Sequence, residues 1–213
     1  MKPRLFVFTG IDGAGKTTHA KLLAEYLNEK GISTKYVHLL DPNFRIGRWI
    51  GDKFNRKILN KENEFLLNKK NKRKLSNLLK GFGLLFLFRG IYQSWIKIIM
   101  NRNYSVIVFD RYAYDDFVRV AWKYGYSIDR LSSLIRLVPQ PDITFHLILP
   151  PREAWRREKE GYTDLEQHTQ KGKIEAVFSN KIKKYCNMVD IDVSTRDVEE
   201  VQEEIRKIGG RKL

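Results

Sequence analysis

The stretch Gly10-Ile-Asp-Gly-Ala-Gly-Lys-Thr17 decides the reading of this chain. Its spacing is G-x-x-x-x-G-K-[ST], a loop whose backbone N–H groups cradle phosphate oxygens between a strand and a helix. The apolar run Leu5-Phe-Val-Phe8 before it reads as a buried strand. After it, Ala20, Leu23, Ala24 and Leu27 fall on one face of a helix, and Gly31 stands where a left-handed residue would end that helix. The loop glycines allow a tight turn and close approach to phosphate, and the helix N-terminus adds the positive end of its dipole. Lys16 is expected to reach the outer phosphates and the Thr17 hydroxyl to sit on a magnesium ion. Strand, loop and helix agree, so the sequence predicts a nucleoside-triphosphate site made by Gly10, Gly13, Ala14, Gly15, Lys16, Thr17 and Thr18.

A chain of 213 residues suits one α/β domain with a single sizeable core. Cys186 is the lone cysteine, which excludes an internal disulfide framework and fits a reducing compartment such as the cytoplasm. The first strand begins within a few residues of Met1, so no secretory leader is expected. The net charge of +15 points to anionic partners, nucleotides or nucleic acid, without choosing between them.

A second apolar run, Lys35 to Leu40, ends at the turn signal Asp41-Pro42. In open α/β sheets the ligand sits beyond the C-terminal ends of the strands, so Asp41, Arg45 and Arg48 are placed to hold an acceptor. From Lys53 to Lys80 the chain is strongly basic with few aromatics, which favours solvated helix faces over a single-strand nucleic-acid surface. Phe82 to Met100 is apolar enough to raise the question of a membrane span. Arg89, Gln93 and Lys97 recur every fourth residue and make one polar stripe, so a buried helix is expected, packed on the core or on a second subunit, with Arg89 facing a cleft.

Ser105-Val-Ile-Val-Phe109 reads as a buried strand running into Asp110-Arg111-Tyr112. An acid at a strand end beside such a loop is a candidate magnesium carboxylate, and Arg111 is suited to phosphate. A capping aspartate beside a surface arginine is the plainer alternative. Helices are expected at about Asp115–Tyr124, Asp129–Leu137, Lys173–Tyr185 and Val198–Ile208, with strands at Ile143–Leu149 and Met188–Ile191. His146 reads as a buried strand histidine. Arg152, Arg156 and Arg157 follow Pro150-Pro151 on a short helix, where cations could close over a phosphoryl group.

The Gly10 to Thr18 loop, the Val106 to Tyr112 strand end, Pro141-Asp-Ile-Thr-Phe-His-Leu147 and Ile191-Asp-Val-Ser194 together resemble the thymidylate kinase family over most of the chain. The resemblance implies a three-layer P-loop fold, a five-stranded parallel sheet surrounded by helices, a single kinase domain with an acceptor-binding helical region at about 41–100 and a lid at about 150–172. It implies a nucleoside monophosphate kinase using ATP and Mg2+, most simply one converting dTMP to dTDP, and a homodimer in the cytoplasm with no membrane or nucleic-acid partner. By the same resemblance Asp12 lies near acceptor sugar and metal, Asp110 and Arg111 near metal and acceptor phosphate, and Arg89 near the acceptor base with Phe86 as stacking partner. Tyr112 is assigned with them to the acceptor site, and Val193 to Arg196, with Ser194 and Arg196, to adenine. Gly13 in place of a basic residue assigns the catalytic arginines to the lid, as Arg152, Arg156 and Arg157.

Three departures bear on the acceptor. Thr9 stands where the family usually has glutamate, and Leu40-Asp41-Pro42 lacks the family's arginine, which Arg45 would replace. Ala113-Tyr-Asp-Asp-Phe-Val-Arg-Val120 replaces small polar residues and an Ala-Tyr-Gln segment. The paired Asp115 and Asp116 sit oddly beside a dianionic monophosphate, so one of them is expected to face a sugar hydroxyl or to cap a helix. A related kinase with another nucleotide or small phosphorylated acceptor is the alternative reading, and an ATP-dependent nucleic-acid-binding protein the third.

Overall fold

Five parallel strands carry the molecule: β1 (Arg4–Gly10), β2 (Thr34–His38), β3 (Val106–Asp110), β4 (Ile143–Ile148) and β5 (Met188–Asp192). They lie in the order β2-β3-β1-β4-β5 in a computed structural model that describes residues 2–39, 69–158, 164–183 and 185–213. The expected all-parallel sheet is present. Phe8 pairs with Asp110, Asp110 with His38 and Gly10 with Leu147, so the phosphate-type loop leaves the sheet at its C-terminal edge beside Asp110.

Among the described residues the helices are α1 (Lys16–Glu29), α2 (Lys69–Met100), α3 (Ala113–Tyr124), α4 (Ile128–Ser133), α5 (Pro151–Arg157), α6 (Leu165–Ile182) and α7 (Val198–Gly210). On one face of the sheet α1 and α7 bury Leu23, Leu27, Val201 and Ile205 against Phe6, Phe8, Phe145 and Leu147. On the other, Phe117, Leu131, Phe178 and Ile182 from α3, α4 and α6 cover Leu5, Val7, Ile107 and Phe109. Covering both faces is why the inner strands β1 and β3 read as near-unbroken apolar runs, while the edge strands β2 and β5 alternate. Phe178 is fully buried, and its truncation to alanine would cost about 3–5 kcal/mol.

Two helices differ from expectation. The fourth long helical segment begins at Leu165 and not near Lys173, because Asp164 caps it, accepting from the Gln167 backbone N–H at 2.8 Å. The apolar helix packs with its small residues inward: Gly83, Gly90 and Ser94 are buried with Leu87 and Ile98. Leu85, Phe88, Tyr92, Trp95 and Ile99 are exposed along its other face. The inward face thus mixes small residues with Leu87 and Ile98, and Leu85, Phe88, Tyr92, Trp95 and Ile99 form an outward apolar stripe. No helix of the described residues is long and apolar enough to cross a membrane.

Candidate active site

The loop between β1 and α1 is the starting point. The Ala14 N–H closes a turn on the Ile11 carbonyl at 3.1 Å. The Lys16 ammonium donates to the Gly10 and Ile11 carbonyls at 2.6 and 2.9 Å. Gly13 has φ +90°, and a Cβ there would stand 2.2 Å from the Ala154 carbonyl oxygen on α5. A side chain is therefore excluded at Gly13 both by conformation and by space.

At the edge of the sheet three hydroxyl or ring groups converge on one carboxylate. Asp110 Oδ2 accepts from the Thr17 hydroxyl at 2.7 Å and the Tyr36 hydroxyl at 2.8 Å, and His38 Nδ1 lies 2.7 Å away. Burial alone would raise this carboxyl, but the contacts from His38, Thr17 and Tyr36 hold it below the usual carboxylate range. Its other oxygen, Oδ1, is buried without a hydrogen-bond partner. An ionised carboxylate with one free buried oxygen, next to the Thr17 hydroxyl, is a donor set that suits a hard divalent cation completed by phosphate oxygens.

A second cluster is built around Asp12. Its Oδ1 accepts from Arg111 at 2.5 Å and lies 3.4 Å from the Lys16 ammonium, and its Oδ2 is paired with Lys171 on α6. Burial opposes ionisation of Asp12, yet Lys16, Arg111 and Lys171 outweigh it and hold the group ionised far below its ordinary range. Arg111 reaches Asp12 from a left-handed backbone, φ 67°, the positive-φ residue other than glycine among those described. That conformation costs about 1–2 kcal/mol for a side-chain-bearing residue, and it turns the chain out of β3 with the Arg111 N–H still bonded to Phe8 O at 3.1 Å.

The segment after Tyr112 is resolved by two different roles for its two acids. Asp115 caps α3, accepting from the Tyr112 N–H at 2.8 Å, and also accepts from the Thr9 hydroxyl at 3.3 Å. Asp116 is fully buried, with Arg119 at 3.4 Å. Burial pushes its carboxyl up to about 6, against the pull of the Arg119 and Arg89 charges. Glu175 on α6 is buried too, 3.9 Å from His146 Nε2, and desolvation pushes it up to about 8. His146 is a buried strand histidine as expected, with Nδ1 2.9 Å from Asp190.

Asp12, Arg111, Asp115, Arg119, Lys171 and Glu175 line one small cleft beside Gly10. A larger groove of about 410 Å³ runs from Ile11 past Leu149, Pro150, Pro151 and Gly172 to Ser194. Of the sequence candidates, the loop residues with Asp12, Lys16, Thr17, Asp110 and Arg111 are brought together. Tyr112 is not in the cleft: its ring is in the core and its hydroxyl donates to the Pro139 carbonyl at 2.7 Å. Phe86 is taken up by packing on Tyr124, with ring centroids 6.2 Å apart. The charge of Arg89 is felt by the buried Asp116. Arg152 and Arg156 are exposed on α5, while Arg157 donates to the Val193 and Ser194 carbonyls at 3.3 and 3.5 Å. Arg196 bonds Glu204 and the Glu200 carbonyl. Asp41, Arg45 and Arg48 lie outside the described residues. Sequence reasoning missed Lys171, Glu175, Tyr36 and His38. The missed α6 start hid Lys171, Glu175 lay within the expected helix with nothing in its spacing to mark it, and for Tyr36 and His38 a polar side chain on every second residue of β2 was the available signal.

Comparison with known proteins bears on the family and the fold. A family model described as "Thymidylate kinase" matches residues 8–205. A probable thymidylate kinase of Methanococcus aeolicus is 32% identical, over 96% of this chain and 94% of its own. The thymidylate kinase of Plasmodium falciparum is 28% identical, over 97% of this chain and 89% of its own. A solved deoxyadenosine kinase from M. mycoides superposes with a TM-score of 0.61 at 16% identity, covering 97% of this chain and 99% of that one, a likeness of fold.

Proposed function

Since the chain belongs to the thymidylate kinase family, we propose that it transfers the γ-phosphoryl group of ATP to dTMP, giving dTDP. The observation that carries the proposal is the convergence of Lys16, Arg111 and Lys171 on Asp12, next to the Thr17–Asp110 pair. Phosphoryl transfer leaves little covalent chemistry for the protein; it needs positioning and charge stabilisation. In this reading the loop N–H groups and Lys16 hold the triphosphate, and Arg111 holds the acceptor phosphate, with Arg45 as its proposed helper. An oxygen of that phosphate is the nucleophile and is already ionised, so no strong general base is required. Asp12 keeps the surrounding cations fixed in place.

Thr17 and Asp110 are the proposed holders of Mg2+, on the strength of the free buried Asp110 oxygen. When bound, the ion supplies charge neutralisation on the phosphate oxygens. The adenine is assigned to the region of Ser194 and Arg196, whose backbone Arg157 braces. The region 41–100 is proposed as the acceptor side and about 150–172 as the lid of a single kinase domain. The exposed stripe Phe88, Tyr92, Trp95 and Ile99 is proposed as a homodimer interface, which would bury the apolar surface that the core leaves uncovered. A free, buried Cys186 is compatible with the proposed cytoplasmic setting.

A second reading keeps the donor half and changes the acceptor. It is favoured by Asp115 and Arg119, both lining the acceptor-side cleft, since they offer a hydroxyl acceptor and a further cation. The experiment that separates the two is ADP formation from ATP and magnesium with dTMP, dUMP, UMP, CMP, AMP and GMP. Selective turnover of dTMP supports the first reading, and selective turnover of another monophosphate the second. No turnover with any of them would sink the monophosphate-kinase assignment.

A further inference from the structure

The later helix α6, not the arginine-bearing α5, brings a cation to the phosphate loop. Lys171 lies on the second turn of α6 (Leu165–Ile182) and pairs with Asp12, the residue that also holds Arg111 and neighbours Lys16. Its neighbour Gly172 lets the helix come this close. A Cβ at Gly172 would stand 2.9 Å from Ile11 Cδ1 in the phosphate loop and 3.0 Å from Pro151 Cγ at the start of α5. The arginines of α5 are spent differently: Arg152 and Arg156 are exposed, and Arg157 is bonded to carbonyls beyond β5. Lys171 also lines the cleft that holds Arg111 and Arg119.

We propose that Lys171 is a catalytic residue, the cation that contacts the transferring phosphoryl group. This inference rests on the phosphoryl-transfer reading above. In the step, the bond from the γ-phosphorus to the β–γ bridging oxygen breaks and its electron pair leaves with ADP. A bond from the γ-phosphorus to an oxygen of the acceptor phosphate forms. Lys171 keeps its protons throughout and stabilises the charge spread over the equatorial oxygens. Asp12 is the counter-charge that fixes the ammonium beside Arg111, so that the cations are placed before the substrates arrive. At this position a lysine presents its charge to Asp12 as a compact ammonium on a flexible stem.

The test compares wild type with Lys171→Ala, Lys171→Arg and Gly172→Ala, using the best monophosphate of the panel. Lys171→Ala is expected to lower kcat about 100-fold, with ATP affinity within about threefold of wild type. Added methylamine should restore part of that loss, a rescue that a merely structural pairing would not show. Binding of ADP with aluminium fluoride and acceptor, which mimics the transferring group, should weaken in parallel. Gly172→Ala keeps the charge and moves it, and should lower kcat in the same direction. Lys171→Arg should retain more turnover than Lys171→Ala. A Lys171→Ala enzyme with kcat within about threefold of wild type would overturn the proposal, as would a loss confined to KM and thermal stability. Wild type without turnover on any acceptor overturns the activity itself and Lys171's role with it, whereas an active wild type beside an unimpaired variant overturns Lys171 alone.

Discussion

Gly13 of the phosphate loop and Ala154 of α5 touch backbone to backbone: a Cβ on Gly13 would lie 2.2 Å from the Ala154 carbonyl oxygen. The loop is thereby braced by the first helix after β4. Gly13→Ala is expected to be worse than an ordinary glycine substitution, since it adds a left-handed penalty to a clash with backbone. A loss of at least about 2 kcal/mol in urea unfolding, with weakened ATP binding, is expected. A variant as stable as wild type would show that the loop and α5 are not in contact in solution.

Lys16→Ala should lose about 100-fold or more in turnover while keeping a cooperative unfolding transition, because it removes one oriented charge donor and no core contact. Asp110→Asn should instead raise the magnesium concentration needed for half-maximal turnover, by about 10-fold or more. A magnesium titration that does not move in Asp110→Asn would remove Asp110 from the metal site.

Glu175 supplies a prediction in pH. Its ordinary value is 4.5 and burial pushes it up to about 8. Across that window the folded chain keeps a proton that the unfolded chain has lost, so stability drains away as pH rises. The slope is at most about 1.4 kcal/mol per pH unit. His19, lowered to about 4 by burial, works the opposite way below about 6.5, where the unfolded chain binds the extra proton. Glu175→Gln removes the first effect alone. Its stability relative to wild type should therefore grow from pH 4.5 upward and level off above pH 8, read from urea midpoints at several pH values. A difference that does not vary with pH would contradict the buried neutral acid.

The outer stripe of α2 is tested by Phe88→Asp, at a side chain 63% exposed. Sedimentation should show a dimer for wild type and a monomer for the variant, with little change in the unfolding of the monomer. A monomeric wild type would leave the stripe to another partner.

How much of this was legible in the sequence follows from how local each signal was. The β1–loop–α1 unit lies within thirty consecutive residues and carries its own spacing, strand and cap, with Gly31 at φ +78° as expected. Both faces of the sheet are covered, so the inner strands β1 and β3 stand out as apolar runs. The start of α6 was missed because Glu166 to Gly172 is polar and lacks apolar periodicity; only the Asp164 cap marks it. Missing that start also hid Lys171, whose contact with Asp12 spans 159 residues of sequence. Tyr112 was misplaced because its position beside Arg111 gives no hint that α3 turns it inward toward Pro139. Asp115 followed one of its expected roles, capping α3, and its bond to Thr9 joins two of the departures noted from the family pattern into one contact.

The left-handed backbone at Arg111 has a consequence for any attempt to redesign this protein. A search that rewards stability alone would favour glycine or asparagine there, since both enter that conformation at lower cost. Either choice deletes the guanidinium that faces Asp12. Position 111 is thus one where optimisation of the fold and preservation of the chemistry pull apart, and a redesigned sequence that relaxes it would be expected to fold well and turn over poorly.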